Sequence, residues 1–162
     1  MLGALDNAVL RFLRTRFHQP PVERVVLRYT RLGEHGALWL AIAAAGFVLH
    51  GRRREVYARA ARATLVAYGA NTLMKILIRR ARPLLEEELP ALSPTISPLS
   101  YPSAHASMSF AAAAVLREAL PGRAVYAAAW VMGLSRPYCG VHHPTDIVAG
   151  AALGTAVARL TA

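Results

Sequence analysis

Five stretches of this sequence are apolar around nearly their whole circumference, and they limit the fold more than any other feature. They cover residues 36–50, 60–78, 103–119, 122–136 and 145–160. Runs such as ALWLAIAAAGFVL and SFAAAAVL lack the polar stripe that a helix on the surface of a soluble protein presents to water. Because helices of this kind are surrounded by protein or by lipid, we expect an all-α, integral membrane helical bundle.

The length of these stretches leaves one alternative open. Each is shorter than the roughly 20 residues of an untilted membrane span, so a soluble helical bundle also fits. Composition favours the membrane, because only 17% of residues are charged, against about a quarter in an average soluble domain. Gly150 and Gly154, spaced as G-x-x-x-G, would let two helices approach closely in lipid. We therefore predict about five transmembrane helices in a single domain, residues 1–162.

The first 35 residues follow a different pattern. Apolar residues recur there at helical spacing with arginines between them, and Pro20 and Pro21 separate two such runs. We interpret the runs as short amphipathic helices in the headgroup interface, although soluble basic helices fit the pattern nearly as well. Residues 1–35 are thus expected to form an amphipathic segment, and residues 36–162 the helical core.

The charge balance indicates a negatively charged partner. The net charge is +10, which suits nucleic acid, anionic lipid headgroups or a phosphorylated substrate, and composition does not distinguish among them. Cys139 is the one cysteine, which excludes an intramolecular disulfide and a metal site built from several cysteines.

Alternation of the five helices across a bilayer would bring three polar clusters to one face. These are KILIRRARP at the end of the second helix, YPSAH at the start of the third, and SRPYCGVHHPTD between the fourth and fifth. Lys75, Arg82 and Arg136 suit an anion with several oxygens, such as a phosphoryl group. Ser103 either caps the third helix or donates to a bound oxygen, and the backbone N–H groups after it face an anion.

Two histidines and an aspartate in these clusters supply the parts of a covalent phosphoryl transfer. Such a reaction needs a nucleophile, a group that holds the tautomer of the nucleophile, and an acid for the leaving oxygen.

The clusters resemble the signature of the type-2 phosphatidic acid phosphatase superfamily, whose site is shared with vanadium haloperoxidases. The family pattern is K-x6-R-P, then P-S-G-H, then S-R-x5-H-x3-D. This sequence matches it at Lys75, Arg82, Pro83, Pro102, Ser103, His105, Ser135, Arg136, His142 and Asp146. The third motif alone would arise by chance at a given position about once in 10⁵ trials. Ala104 stands where the family usually has glycine.

The resemblance implies a role for each matched residue. His142 would attack phosphorus to give a phosphohistidine, and Asp146 would orient its imidazole. His105 would protonate the leaving oxygen and then activate the hydrolytic water. The phosphate oxygens would be held by Lys75, Arg82, Ser103, Arg136 and the backbone N–H of Ala104. No metal and no cofactor would be required, and vanadate or phosphate could occupy the site.

Four positions in or near the motifs need separate treatment. The methyl group of Ala104 disfavours positive φ, so activity is expected to survive if the backbone there is helical. His143 is a competing nucleophile, although the motif spacing selects His142. Arg79 and Arg80 are expected to bind lipid phosphates or to extend along the membrane interface, outside the catalytic set.

The brevity of the chain and its GEHGALW stretch resemble small bacterial members of the family that act on polyprenyl-linked phosphates, including decaprenylphosphoryl-5-phosphoribose. Phosphatidylglycerophosphate and phosphatidate are alternative substrates. The implied partners are a lipid-linked phosphate and membrane lipids, with no nucleic acid, and the sequence leaves the oligomeric state open. The family's usual placement implies a site on the extracytoplasmic face of a bacterial cell membrane, although the arginine distribution slightly favours the opposite face.

Two rival interpretations stay open at this point. A vanadate-dependent haloperoxidase would use the same pocket, but the chain lacks the large soluble helical scaffold of those enzymes. A basic helical protein that binds nucleic acid or anionic lipid would show salt-dependent binding and no requirement for His142.

Overall fold

The computed structural model describes residues 2–16, 18–83 and 89–161. These residues form seven α-helices and no strand, apart from an isolated bridge between Ala81 and Leu99. The helices are α1 (Leu2–Thr15), α2 (Pro20–Leu32), α3 (Ala37–Leu49), α4 (Arg54–Ile78), α5 (Ala104–Leu116), α6 (Gly122–Tyr138) and α7 (Pro144–Thr161). Short 3-10 turns, Glu34–Gly36 and Gly51–Arg53, precede α3 and α4. The all-α prediction is confirmed over the described residues.

Helices α3 to α7 correspond to the five apolar stretches and differ from them mainly at the ends. Helix α4 begins at Arg54 rather than at residue 60, because hydropathy marks only the apolar part of a helix and the first turns of α4 are charged. It ends where Arg79 adopts a left-handed backbone with φ 54°. Helix α5 ends at Leu116 rather than at residue 119, shortly before Pro121.

Helix α5 is the centre of the bundle and packs against α4, α6 and α7. Its contact with α7 is close because two glycines face it. A Cβ atom at Gly150 would lie 2.6 Å from the carbonyl oxygen of Ser103, and one at Gly154 would overlap the carbonyl of Ser107. The close helix approach predicted from the G-x-x-x-G spacing is therefore present.

The interior of the bundle contains hydrogen-bonded polar side chains, whereas its exterior is largely apolar. Nε1 of Trp39 donates to Oγ of Ser109 at 2.8 Å, and Nδ2 of Asn71 donates to Oγ of Ser107 at 3.0 Å. The exposed apolar side chains include Leu65, Leu73, Leu77, Val131 and Val148. An apolar exterior around a hydrogen-bonded polar interior is the arrangement that lipid favours.

The lengths of the helices give a weaker membrane signal. Among the described residues, no single helix is both long and apolar enough to qualify as a span by itself. Helix α2 and the segment Glu34–Leu49 qualify as a pair, with a bend of 56° between them. The number of spans, predicted to be about five, therefore stays a prediction.

Helix α1 packs against α6 and α7 with an unexpectedly charged face. It buries Asp6, Leu10 and Arg14, and it exposes Leu5, Val9 and Phe12. The helix is amphipathic, as predicted, but two of the three side chains that it buries against the protein are charged. Leu5 is 63% exposed, whereas Asp6 is 3% exposed.

Candidate active site

A cavity of about 470 Å³ collects residues from α4, α5, α6 and the loops beside them. It is lined by six of the eight site residues predicted from the sequence, namely Lys75, Arg82, Ala104, His105, Arg136 and His142. The other two, Ser103 and Asp146, are fully buried, and Asp146 contacts His142 from behind. The convergence of the three polar clusters predicted from helix alternation is therefore present.

His142 has a contact at each ring nitrogen. Its Nδ1 lies 3.4 Å from Oδ2 of Asp146, and its Nε2 lies 3.2 Å from Nη1 of Arg82. Because a carboxylate accepts and a guanidinium donates, Nδ1 carries the proton and Nε2 keeps its lone pair. Burial lowers the pKa of His142 to about 3, against the opposing effect of Asp146. The imidazole is therefore neutral at neutral pH, with Nε2 in the form that a nucleophile needs.

The adjacent His143 lies at a similar distance from Asp146. Its Nδ1 is 3.4 Å from Oδ2 of Asp146 without forming a hydrogen bond, and its backbone N–H donates to that oxygen at 2.8 Å. Distance to Asp146 therefore does not separate the two histidines. Their position relative to the cavity distinguishes them, because His142 is among the described residues that line it and His143 is not.

The second carboxylate oxygen of Asp146 contacts a residue that the sequence placed outside the catalytic set. Oδ1 accepts from Nη1 of Arg80 at 2.8 Å, and Nη2 of Arg80 donates to Asp6 at 2.8 Å. The expectation that Arg80 binds lipid phosphates or extends along the interface was wrong. Two buried carboxylates hold its guanidinium, which is 29% exposed, against Asp6 and Asp146.

Backbone carbonyls of the surrounding loops hold two of the predicted phosphate-binding cations. Nζ of Lys75 donates to Leu99 at 3.1 Å. Arg82 donates from Nε to Ser97 at 2.7 Å and from Nη1 to Val141 at 2.6 Å. Burial, with the nearby charge of Arg136, lowers the pKa of Arg82 to about 10, so the side chain remains charged at neutral pH.

Thr30 of α2 contacts two predicted site residues, although the sequence assigned it no role. Its Oγ1 accepts from Nη1 of Arg136 at 2.8 Å, and its carbonyl oxygen accepts from Nε2 of His105 at 3.1 Å. Since a carbonyl can only accept, Nε2 of His105 carries a proton and Nδ1 is the nitrogen left for acid–base chemistry. Nothing around Thr30 in the sequence marks it, because its role depends on how α2 packs against α6.

Ser103 and Ala104 form the N-terminal end of α5. The hydroxyl of Ser103 accepts from the N–H of Ala106 at 3.5 Å, which is the capping role, and its contact with a phosphate oxygen stays a prediction. Ala104 is the first residue of α5 and lines the cavity. Among the described residues, positive φ outside glycine occurs only at His35 and Arg79, so Ala104 does not need the freedom of glycine.

A second polar group lines the same cavity. It consists of Glu34, His35 and Tyr68, and Nδ1 of His35 lies 3.0 Å from the hydroxyl of Tyr68. His35 and the following Gly36 both have left-handed backbones, with φ of 52° and 73°. The left-handed backbone costs glycine nothing, but at a residue with a side chain such as His35 it is uncommon and is enriched at functional sites.

Metal ligands of the usual kinds are not gathered in the described part of the chain. Across residues 2–16, 18–83 and 89–161, no group of three or more His, Cys, Asp or Glu side chains is arranged to hold a metal ion. Glu86, Glu87 and Glu88 lie outside the described residues.

Comparison with known sequences places these features among related proteins. The sequence model of the PAP2 superfamily matches residues 56–162. Decaprenylphosphoryl-5-phosphoribose phosphatase of Mycobacterium tuberculosis (strain ATCC 25618 / H37Rv) is 38% identical over 136 residues, which is 81% of this chain and 73% of that protein. The protein of the same name from Mycolicibacterium smegmatis is 36% identical over 121 residues, 75% of this chain and 67% of that protein.

Two crystal structures share the fold. LpxE of Aquifex aeolicus superposes with a TM-score of 0.82 at 21% identity, covering 97% of this chain and 94% of that chain. A transmembrane PAP2 type phosphatidylglycerolphosphate phosphatase from Bacillus subtilis superposes with a TM-score of 0.73 at 24% identity, covering 99% of this chain and 84% of that chain. At these identities the likeness establishes a common fold.

Proposed function

This chain belongs to the PAP2 superfamily and is a lipid phosphatase, and on that premise we propose that it hydrolyses the terminal phosphate of a polyprenyl-linked substrate through a phosphohistidine. The observation that carries the proposal is the neutral His142, whose Nε2 faces a cavity lined by Lys75, Arg82 and Arg136. A nucleophile beside several fixed cations is what transfer of a phosphoryl dianion requires.

In the first step, Nε2 of His142 forms a bond to phosphorus while the bond from phosphorus to the leaving oxygen breaks. The negative charge of the bound phosphate favours the imidazolium form of His105, which donates its Nδ1 proton to that oxygen while its Nε2–H is held by the carbonyl of Thr30. Asp146 stabilises the positive charge that develops on the imidazole of His142. In the second step, Nδ1 of His105 takes a proton from water, whose oxygen bonds to phosphorus as the bond from Nε2 of His142 to phosphorus breaks. Phosphate is released, and His105 is again the imidazolium.

The charge of the transferred group is balanced by side chains that the fold already holds in place. Arg82 uses Nε and Nη1 to contact protein atoms, and its Nη2 makes no hydrogen bond to a described residue, so it is free for a phosphate oxygen. Lys75 and Arg136 would bind the remaining oxygens, with the N–H of Ala104 and the hydroxyl of Ser103. Because these groups supply the positive charge, the proposed reaction needs no metal ion.

The proposed substrate is decaprenylphosphoryl-5-phosphoribose or another polyprenyl phosphate or diphosphate. Two relatives at 36% and 38% identity carry the name of the phosphoribose phosphatase. The cavity adds a chemical argument, because Glu34 and Tyr68 could hydrogen-bond the hydroxyl groups of a sugar headgroup. Ile76 and Ile96, which are 59% and 85% exposed, would lie against the isoprenoid chain.

The lipid substrate and the apolar exterior of the bundle support a place in the bacterial cell membrane, with about five spans from α3 to α7. We assign the site to the extracytoplasmic face, the usual placement in the family.

The proposal is tested by phosphate release from detergent-purified full-length chain. The panel contains phosphorylated polyprenyl ribose, polyprenyl diphosphate, phosphatidylglycerophosphate and phosphatidate. We expect the highest kcat/KM on a polyprenyl-linked member, and no salt-dependent retention on nucleic acid. A preference for phosphatidate or phosphatidylglycerophosphate would overturn the substrate assignment, and no release from any member by well-folded protein would overturn the activity.

A further inference from the structure

An ionic chain of two buried carboxylates and the partly exposed guanidinium of Arg80 connects the N-terminal helix to the proposed nucleophile. Asp6 of α1 accepts from Nη2 of Arg80 at 2.8 Å, and Nη1 of Arg80 donates to Oδ1 of Asp146 at 2.8 Å. The other oxygen of Asp146 faces Nδ1 of His142. Asp6 and Asp146 are 3% and 0% exposed, so water contributes little to holding either carboxylate.

Thr145 connects the two ends of this chain a second time. Its backbone N–H donates to Oδ1 of Asp6 at 3.0 Å, and its hydroxyl donates to Oδ2 of Asp6. Nη1 of Arg80 also contacts the Thr145 hydroxyl at 2.8 Å. Asp6 therefore holds both the guanidinium that contacts Asp146 and the residue that precedes Asp146 in the chain.

Burying the carboxylates of Asp6 and Asp146 costs free energy, and their ion pairs with Arg80 offset that cost. An unpaired buried carboxylate is strongly unfavourable, whereas one with several charge-assisted hydrogen bonds is not. Burial opposes the ionisation of Asp6, yet the hydrogen bonds from Arg80 and Thr145 still lower its pKa below the usual 3.8. At neutral pH both carboxylates are charged, with Arg80 between them.

Neither Asp6 nor Arg80 is among the described residues that line the cavity, so a direct contact with substrate does not account for them. We propose that Asp6 and Arg80 are positioning residues for phosphoryl transfer. Asp6 orients Arg80, and Arg80 fixes Oδ1 of Asp146 so that Oδ2 is directed at Nδ1 of His142. The inference rests on the proposed function, and it makes α1 part of the catalytic apparatus rather than a membrane anchor alone.

The test compares Asp6→Asn, Arg80→Lys and their double variant with the wild type, as full-length protein in detergent with polyprenyl diphosphate. We expect each single variant to lower kcat by about 10- to 100-fold, the loss typical of residues that orient a histidine from outside its direct contacts. KM and the inhibition constant of inorganic phosphate should change by less than about threefold, because the cavity cations are untouched. The kcat of the double variant should be no lower than that of the less active single variant, since both residues act through Asp146.

Arg14 offers a matched control on the same helix. It is 4% exposed and donates to the carbonyls of Tyr138 and Pro90 at 3.2 Å and 2.6 Å, so it anchors α1 without contacting Asp146. Arg14→Gln should lower Tm but keep kcat at temperatures well below Tm. Should Asp6→Asn fail to fold, Arg80→Ala assayed with and without millimolar guanidinium replaces it, and rescue of kcat supports the proposal.

The outcomes separate this inference from the proposed function. If Asp6→Asn and Arg80→Lys keep kcat within about twofold of the wild type, or if they lose kcat only in proportion to Tm as Arg14→Gln does, the positioning role is wrong. Absence of guanidinium rescue counts against it equally. The proposed function is tested by His142→Ala instead. Full activity of that variant would show that His142 is not the nucleophile, whatever the result for Asp6.

Discussion

Nη1 of Arg82 lies 3.2 Å from Nε2 of His142, so a cation proposed to bind phosphate contacts the ring nitrogen that carries the lone pair. The contact keeps the imidazole in one tautomer, with its proton on the side of Asp146. A bound phosphate would exchange this contact for one between Arg82 and a phosphate oxygen. Binding of the substrate and release of the nucleophile are therefore expected to be a single event.

This coupling predicts a specific effect of Arg82→Lys. Lysine keeps the charge, but a single ammonium group cannot contact Ser97, Val141 and a phosphate oxygen in the geometry of the guanidinium fork. We expect kcat/KM to fall by about 100-fold, with both kcat and KM affected. Steady-state kinetics on detergent-purified protein measures both, and a lysine variant within about threefold of the wild type would show that charge alone is sufficient.

His142→Ala should abolish phosphate release, with a loss of at least about 10³-fold, because the proposed intermediate forms on this residue. His143→Ala should keep a measurable fraction of activity, since His143 does not line the cavity, and it serves as the matched control. Both side chains lie 3.4 Å from the same oxygen of Asp146, but only that of His142 hydrogen-bonds to it, and the backbone N–H bond of His143 is kept in His143→Ala. A greater loss in His143→Ala than in His142→Ala would reverse the assignment.

The sequence predicted the cavity residues well, because they fall in short motifs at the ends of apolar helices. Alternation of those helices is enough to bring Lys75, His105 and His142 to one face. Residues that act through packing between distant segments were missed. Asp6 is separated from Arg80 by most of the N-terminal half of the chain, and a lone acid in a basic amphipathic helix gives no sign that it is buried.

Thr30 shows the same limit for a neutral residue. Its hydrogen bonds to Arg136 and His105 depend on the rotation of α2 about its axis. The apolar spacing of α2 predicts a helix but does not specify which helix contacts its polar side. The start of α4 was displaced for a related reason, because charged residues continue a helix beyond the part that hydropathy detects.

Ala104→Gly should restore the residue that the family usually carries with little gain in activity. Ala104 begins α5 in ordinary helical conformation, so its methyl group forces no unusual backbone. We expect kcat/KM within about threefold of the wild type, and a loss of at most about 1 kcal/mol in the free energy of unfolding. Parallel kinetics and thermal unfolding measure the two effects, and a tenfold rise in kcat/KM would show that the methyl group obstructs the phosphate.

Turnover should persist in excess EDTA, because in the proposed reaction Lys75, Arg82 and Arg136 would supply the positive charge that a metal ion supplies in other phosphatases. Orthovanadate should inhibit competitively, since its trigonal-bipyramidal form resembles the transition state of the transferred phosphoryl group. Phosphate release with and without each reagent tests both points. The proposed reaction would be contradicted if EDTA abolished phosphate release and only added magnesium restored it.

Glu34→Gln tests the part of the cavity assigned to the headgroup. A carboxylate in a cavity with three cations weakens binding of a phosphate unless it contacts hydroxyl groups of the substrate. We expect the substitution to raise KM for phosphorylated polyprenyl ribose by about tenfold, the loss of one charge-assisted hydrogen bond. For polyprenyl diphosphate, which has no hydroxyl groups, KM should stay level or fall.

Glu118→Gln is the matched control for that experiment, because Glu118 pairs with Arg59 outside the cavity and its removal changes the net charge equally. It should leave the ratio of kcat/KM values for the two substrates unchanged. An equal effect of Glu34→Gln on both substrates would mean that Glu34 acts through its charge on the bound phosphate, and the sugar contact would then be wrong. A change in the ratio confined to Glu34→Gln links the carboxylate to the hydroxylated part of the substrate.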